Sequence, residues 1–523
     1  MRIFFVILLC VLDLSAKINF GIISAVDKQI KELKTKKDKA ILKWVGSDYY
    51  KNDGLNFECG NNNTNFIYKV IYQNFLNKPP VEGYPKVHIL YKGSEVAGSP
   101  FTMTRESGNY KDGITYSYVT NLIPEVNNYS YYFEAKYIDE DKVEKTIFTD
   151  KIDYPAVSDG NGLNSCWQVH FINYDGYEPS LAFDSSGNPV ILFISNSYEE
   201  IRNHANCRFD YYTQKTVCSC PGDYELVGDD VGGYWCEKDV INFNLNIGKI
   251  QDLSKDVFLS EIIYTTTSTV KYPSLKIGTD NNFRISYIKD IELWYGRTID
   301  NIWAFGKIIN NASESHIYLS TTNMPHISYY DIVSKKLGYC FYFNTSWQCE
   351  NPDILSADNG QDNDIFVSTD GIVNISYYDA SHRVFMYAYK NNGEWAKEVV
   401  GFLTEAGKNS NIIRDNTDSI NIFYSDNGSL KHAKKLGTNF SVSSLNSEGF
   451  VSYSSVGMIG DKIYVVYQDE ISKSLKSLIY DGTKWDRKEI DINGYYPSVN
   501  TYETNVGVVY SSNGAIKYAF WIK

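Results

Sequence analysis

MPHISYYDIVSKKLGYCFYFNTSWQCE, running from Met324 to Glu350, reads as three strands joined by two turns. PHISYYD has the β-branched and aromatic alternation of a strand and stops at an Asp turn. LGYCFYF is a second strand, NTS a tight turn, and WQCE a third strand returning beside it. The chain keeps rewriting this phrase. VNISYYDASHRVFMYAYKNNGEWAKEVV begins at Val373 and IYVVYQDEISKSLKSLIYDGTKWDRKEI at Ile463.

An aromatic near the end of each PHISYYD-like strand marks the unit: Phe193, Tyr287, Tyr329, Tyr377, Tyr424, Tyr467 and Tyr510. From Tyr287 onward the intervals are 42, 48, 47, 43 and 43 residues. Trp303, Trp347, Trp395 and Trp485 follow their tyrosines by 16 to 18 residues, with Phe440 in the remaining unit. A period in the forties with several strands per unit is the signature of a β-propeller. The last unit, from Tyr495, supplies three strands, while CWQVHFIN at Cys166 is an orphan strand of the WQCE type. Pairing them would complete one blade from the two ends and hide a sheet edge. Seven markers and this closure give seven blades. The 94 residues between Phe193 and Tyr287 leave an eighth blade open, with long insertions in one blade the preferred reading.

Upstream, Trp44 to Val157 is a different kind of sequence. NFIYKVIYQN, YPKVHILYKG, GITYSYVTNL and NYSYYFEAKY alternate as strands between turns such as NKPPVEGYP and GNYKDG. About seven such strands in roughly 110 residues fit a sandwich. SDGNGLNSC, Ser158 to Cys166, is a Gly/Asn/Ser linker.

LKWVGSDYYKNDGLNFECG, YPKVHILYKGSEVAGSPFTM and DGITYSYVTNL resemble the Ig-like, fibronectin-III-like modules of large bacterial surface proteins. PSLAFDSSGNPVILFIS at Pro179 and PHISYYD at Pro325 resemble the SLALDSxGxPHISYYD-type propeller repeats of bacterial secreted proteins. The units near Ser410 and Ser452 are worn. The resemblance implies an all-β protein and brings no assigned chemistry. The expected organisation is a signal peptide over 1–16, a lysine-rich helical lead-in over 17–43, an Ig-like sandwich over 44–157, a linker over 158–165 and a propeller over 166–523.

Composition fits an exported β protein. Tyr is common at 44, Pro scarce at 13, and the net charge is −13 with no basic stripe in the repeats. That disfavours nucleic acid and anionic membrane as partners. MRIFFVILLCVLDLSA has the single cation, short apolar run and small residues of a secretory signal. No other apolar stretch approaches spanning length. The expected location is therefore secreted, extracellular or cell-surface, and the expected state a monomer.

Eight cysteines follow the signal, an even count that suggests disulfides in an exported chain. Cys340 and Cys349 flank a hairpin turn and are expected to pair. Cys207, Cys218, Cys220 and Cys236 cluster in one insertion, with Cys207–Cys236 the expected bond; zinc is the weaker rival, for want of CxxC spacing. Cys59 has no evident partner within its domain.

Propellers bind where the loops leaving second strands meet those entering first strands. Asp290, Asp331, Asp379, Asp426 and Asp469 end second strands there. An Asp recurring in every unit is first a turn residue whose carboxylate caps backbone N–H groups. Tyr330 and Tyr378 recur in only some units, which suits contact with a ligand. Tyr330, Asp331, Tyr378, Asp379, Asp426 and Asp469 form the candidate binding set, with a glycan or cell-surface protein as partner.

The enzyme alternative is a sialidase-like glycosidase, which needs three convergent arginines, a Tyr nucleophile and carboxylates. Arg202, Arg208, Arg284, Arg297, Arg383, Arg414 and Arg487 are scattered, and the S-x-D-x-G-x-x-W turns are missing. His316, His326 and His382 share no ligand spacing with carboxylates, and DNGQDND at Asp358 reads as a solvated acidic turn. No catalytic residue, metal or cofactor is implied.

Overall fold

The computed structural model describes residues 40–522, apart from 47–49, 51–52, 107, 126–127, 160–164, 205, 211–214, 221–223, 230–232, 253–256, 404–407 and 446–448. The signal peptide and most of the lysine-rich lead-in lie outside the described residues. Its last four residues, Ala40–Lys43, form a strand paired with Phe66–Asn74, not a helix. Ala40 is fully buried, so this end of the lead-in belongs to a core. Among the described residues there is no helix, and none long and apolar enough to cross a membrane. The chain divides into two units at Cys166/Trp167.

The first unit buries one core between two antiparallel sheets. One runs Ala40–Lys43, Phe66–Asn74, Ile114–Thr120, Thr104–Arg105; the other Glu144–Phe148, Tyr129–Ile138, Lys86–Tyr91, Ser94–Glu95. Their alternating inward residues meet in pairs such as Tyr68 and Tyr131, edge-on at 4.9 Å. Ala156–Ser158, which ends on the first residue of the expected linker, pairs in parallel with Cys59–Asn61. Cys59, which lacked an evident partner in sequence, is bonded to Cys166.

The second unit repeats one antiparallel meander. The first sheet is built on Tyr177–Phe183, Pro189–His204, Gly233–Asp252 and Val257–Thr266; the second on Val270–Ile277, Phe283–Lys289, Glu292–Ile299 and Ile302–Asn310. The third holds Ala312–Leu319, Pro325–Asp331, Lys336–Phe343 and Ser346–Glu350. The fourth begins at Asn359–Val367, the fifth at Lys408–Arg414 and the sixth at Val451–Ile459. In the seventh, Gly494–Tyr502, Asn505–Ser512 and Ala515–Ile522 are completed by Cys166–Asp175, the orphan strand read from the sequence. Each sheet's opening strand packs against the opening strand of the next, and that of the seventh against that of the first. This cyclic succession is β-propeller architecture.

The marker aromatics explain the repeat. Phe193, Tyr287, Tyr329, Tyr377, Tyr424, Tyr467 and Tyr510 are all at most 2% exposed, each on the second strand of its sheet. The 94-residue interval holds a long arm, where Pro189–His204 pairs with Gly233–Asp252 far beyond the length of the other sheets. Insertions within one sheet account for it.

Three disulfides are described in full. Cys340–Cys349 joins cross-strand partners in the third sheet, Cα atoms 4.2 Å apart, where the sequence placed it. Cys236 bonds Cys220 instead of the expected Cys207. The reason is local: Glu225–Asp229 pairs back along the arm and brings the preceding Cys220 to Cys236. Cys207 instead stands in register with Cys218, which is itself disulfide-bonded. Thiols so consumed leave no zinc site at Cys218 and Cys220.

Candidate functional site

Second-strand aspartates accept hydrogen bonds from their own turns and from neighbouring segments. Asp331 accepts the Val333 and Ser334 amides, both at 3.0 Å. Asp379, 3% exposed, accepts Ser356 Oγ at 2.7 Å and pairs with His382 Nδ1 at 2.8 Å. Asp469, 2% exposed, accepts the Phe450 and Ile471 amides, the Ser472 hydroxyl and Lys476 Nζ. Asp426 is likewise buried. Tyr378 is 5% exposed and packs against Phe385, so its ring offers little surface to a ligand. Tyr330 is half-buried, donating to Asp358 Oδ1 at 3.0 Å.

Beside these strand ends lies a feature of the opening strands. Each carries a register irregularity near its start, between Tyr177 and Ser180 in the first sheet and at the matching place in every other. The residue within it is Glu178, Tyr272, Glu314, Asp362, Asn409, Tyr453 or Tyr496, always three before an inward aliphatic: Leu181, Leu275, Ile317, Ile365, Ile412, Val456 or Val499. Six of the seven have positive φ, from 46° at Glu178 to 61° at Asn409. Non-glycine residues rarely adopt that region. A bulge of this kind re-aims the side chain it carries.

These side chains stand together. The Tyr272 amide donates to Glu178 Oε2 at 2.6 Å, the Asp362 amide to Glu314 Oε2 at 2.7 Å, and the Asn409 amide to Asp362 Oδ1 at 2.8 Å. Tyr453 and Tyr496 meet edge-on at 4.6 Å. Tyr272 and Tyr453 remain 41% and 39% exposed. Three carboxylates and three tyrosines therefore ring the mouth of the propeller, with Tyr330 at their border. Crowding by protein, then the charge of Asp362, holds the Glu314 carboxyl well above the usual carboxylate range. Burial raises Glu178 as well. Tyr272 is pushed up to about 12 by burial and the charges of Glu314 and Glu178.

Beneath the mouth, His316 Nδ1 lies 3.7 Å from Asp364 Oδ1, and Lys276 Nζ sits 5.5 Å from the centre of the Tyr318 ring. Burial lowers His316 and Lys276 and raises Asp364. The segment DNGQDND is thus not a solvated turn. It opens the fourth sheet as Asn359–Val367 and supplies Asp362 to the ring and Asp364 to the layer below.

The sheets are laced at the same level. The Leu275 amide donates to Ser180 Oγ, Ile317 to Ser274 Oγ, Ile412 to Asp364 Oδ2, Val499 to Ser455 Oγ and Leu181 to Ser498 Oγ, at 2.9–3.2 Å. A short polar residue just before the core aliphatic thus satisfies an edge amide of the neighbouring sheet.

No family model matches the chain. No curated protein matches it either. Among solved structures, a fungal alcohol oxidase in complex with copper is 8% identical over 68% of this chain and 76% of its own, with a TM-score of 0.42. The β-propeller domain of the Trilobed protease from Pyrococcus furiosus is 9% identical over 66% and 94%, with 0.37. A Hadza microbial sialidase is 8% identical over 78% and 76%, also with 0.37. At these scores none of the likenesses bears on what the chain does.

Proposed function

We propose that the chain is an exported binding protein in which an Ig-like, fibronectin-III-like sandwich accompanies a seven-bladed propeller that recognises a glycan at its mouth. The supporting observation is the bulge ring. Holding a non-glycine residue at positive φ costs about 1–3 kcal/mol, and such outliers gather at functional sites. Here the cost recurs around one opening, at Glu178, Tyr272, Glu314, Asp362, Asn409 and Tyr496, with Tyr453 beside them. Carboxylate oxygens accept from sugar hydroxyls, and tyrosine faces cover the apolar side of a sugar ring. So acidic a mouth repels anionic saccharides and favours neutral or amino sugars. The disulfides fit an oxidising compartment.

The test is a glycan array probed with the full chain and with a Tyr272→Ala/Tyr453→Ala variant. Loss of neutral or amino-sugar signals in the variant supports this reading. Equal signals from both proteins, or none from the parent, count against it.

The catalytic alternative has one observation in its favour. Glu314, its carboxyl raised by burial and by the charge of Asp362, has the character of a general acid. The seven ring positions hold no arginine, so the convergent triad of a sialidase-like site has no members there. Release of sugar from aryl glycosides by the parent, abolished by Glu314→Gln, would favour the enzyme.

A further inference from the structure

A groove of about 440 Å³ runs between the second and third sheets. It lies at the ends of the strands away from the bulges, where Asp280 and Asn323 sit in the turns between first and second strands. One wall is aromatic: Trp347 meets Tyr295 at 5.0 Å and Tyr342 at 5.5 Å, both edge-on. The other carries Arg284 and Arg297.

Those two arginines are directly opposite one another on adjacent strands. Like charges in that relation destabilise a sheet. Asp280 answers only one of them, accepting from Arg284 Nη1 at 2.9 Å and Nη2 at 2.6 Å. Arg297 is exposed and makes no ion pair or side-chain hydrogen bond among the described residues. A surplus cation is thus kept beside an aromatic wall, on a chain whose net charge is −13. Guanidinium groups take carboxylate and sulfate oxygens bidentately, and aromatic rings take sugar faces.

We propose that this groove binds an acidic saccharide, Arg297 anchoring its oxyanion and Trp347 and Tyr342 lying against the sugar ring. The Cys340–Cys349 disulfide then has a functional consequence. It staples the hairpin that carries Tyr342, Asn344 and Trp347, and so holds one wall of the groove in place.

The experiment is an array of uronate-bearing, sulfated and neutral saccharides, probed with the full chain, Arg297→Ala, Arg297→Lys and Glu314→Gln. Acidic saccharides should bind the parent. Arg297→Ala should lose at least about tenfold in affinity, the scale of one charge-assisted pair, with Arg297→Lys between the two. Because the substitution removes a like-charged neighbour of Arg284, the melting temperature of Arg297→Ala should hold or rise. Glu314→Gln should leave these signals unchanged, which separates this site from the mouth. The uronate and sulfate arms identify the oxyanion. No acidic saccharide bound, binding undiminished in Arg297→Ala, or a fall in its melting temperature that accompanies the loss would each overturn the proposal.

Discussion

The amide of Leu181 donates to the hydroxyl of Ser498 at 3.1 Å, bridging 317 positions of sequence and joining the seventh sheet of the propeller to the first. Ser498→Ala leaves that amide without its acceptor at the seam, at a cost of about 1–3 kcal/mol. Trp167, on the strand that completes the seventh sheet, ties that sheet to the sixth, its Nε1 donating to Ser477 Oγ at 2.8 Å and its ring 5.3 Å from Trp521 of its own sheet. Trp167→Ala should cost about 3–5 kcal/mol. Chemical denaturation of both variants checks the order; a larger loss in Ser498→Ala would contradict it.

Asp469 and Lys476 are a buried pair, Oδ2 to Nζ 2.8 Å. Removing the carboxylate strands the lysine, so Asp469→Ala should cost about 3–5 kcal/mol.

The same pair sets a pH dependence. Burial pushes the Asp469 carboxyl up, but hydrogen bonds from Lys476, Ser472 and the Ile471 and Phe450 amides outweigh it and hold it well below its ordinary 3.8. A folded-state value below the unfolded one gives stability that is present above the unfolded value and lost as pH falls through the folded one. Melting temperature should therefore fall from pH 5 toward pH 2, and less steeply in Asp469→Asn. Parallel curves for the two proteins would refute this.

Much of the fold was legible because its cause repeats. Every unit needs a large aromatic between its sheet and the next, so Tyr287, Tyr377 and Tyr467 fall at a readable period. The ring was not legible for the opposite reason. Its positions share a backbone bulge while their side chains differ, Glu178 in one sheet and Tyr272 or Asn409 in others. The aspartates at the second-strand ends are more conspicuous because they repeat, and they accept from turn amides. The usable sign was the offset to the core aliphatic, three residues in ESHI, DNDI and YPSV alike. The Cys220–Cys236 bond escaped because it depends on a strand pairing inside an irregular insertion.

Cys340 and Cys349 close a loop of sequence separation 9, so their bond should contribute roughly 2–3 kcal/mol at most. Replacing both by serine should lower the melting temperature slightly and leave binding at the mouth unchanged. Non-reducing peptide mapping should recover Cys340–Cys349 and Cys220–Cys236 as separate linked pairs. Free thiols at Cys340 and Cys349, or a bridge from either to Cys220 or Cys236, would contradict the hairpin register.

Titration of the full chain with the neutral or amino sugar that gives its strongest array signal tests recognition at the mouth most directly, run beside Glu178→Gln/Glu314→Gln. These substitutions keep shape and replace each carboxyl by an amide. Affinity should fall at least about tenfold, the loss of one or two charge-assisted hydrogen bonds, with the melting temperature held. Unchanged affinity in the double variant would place the ligand elsewhere on the molecule and contradict a binding role for the ring.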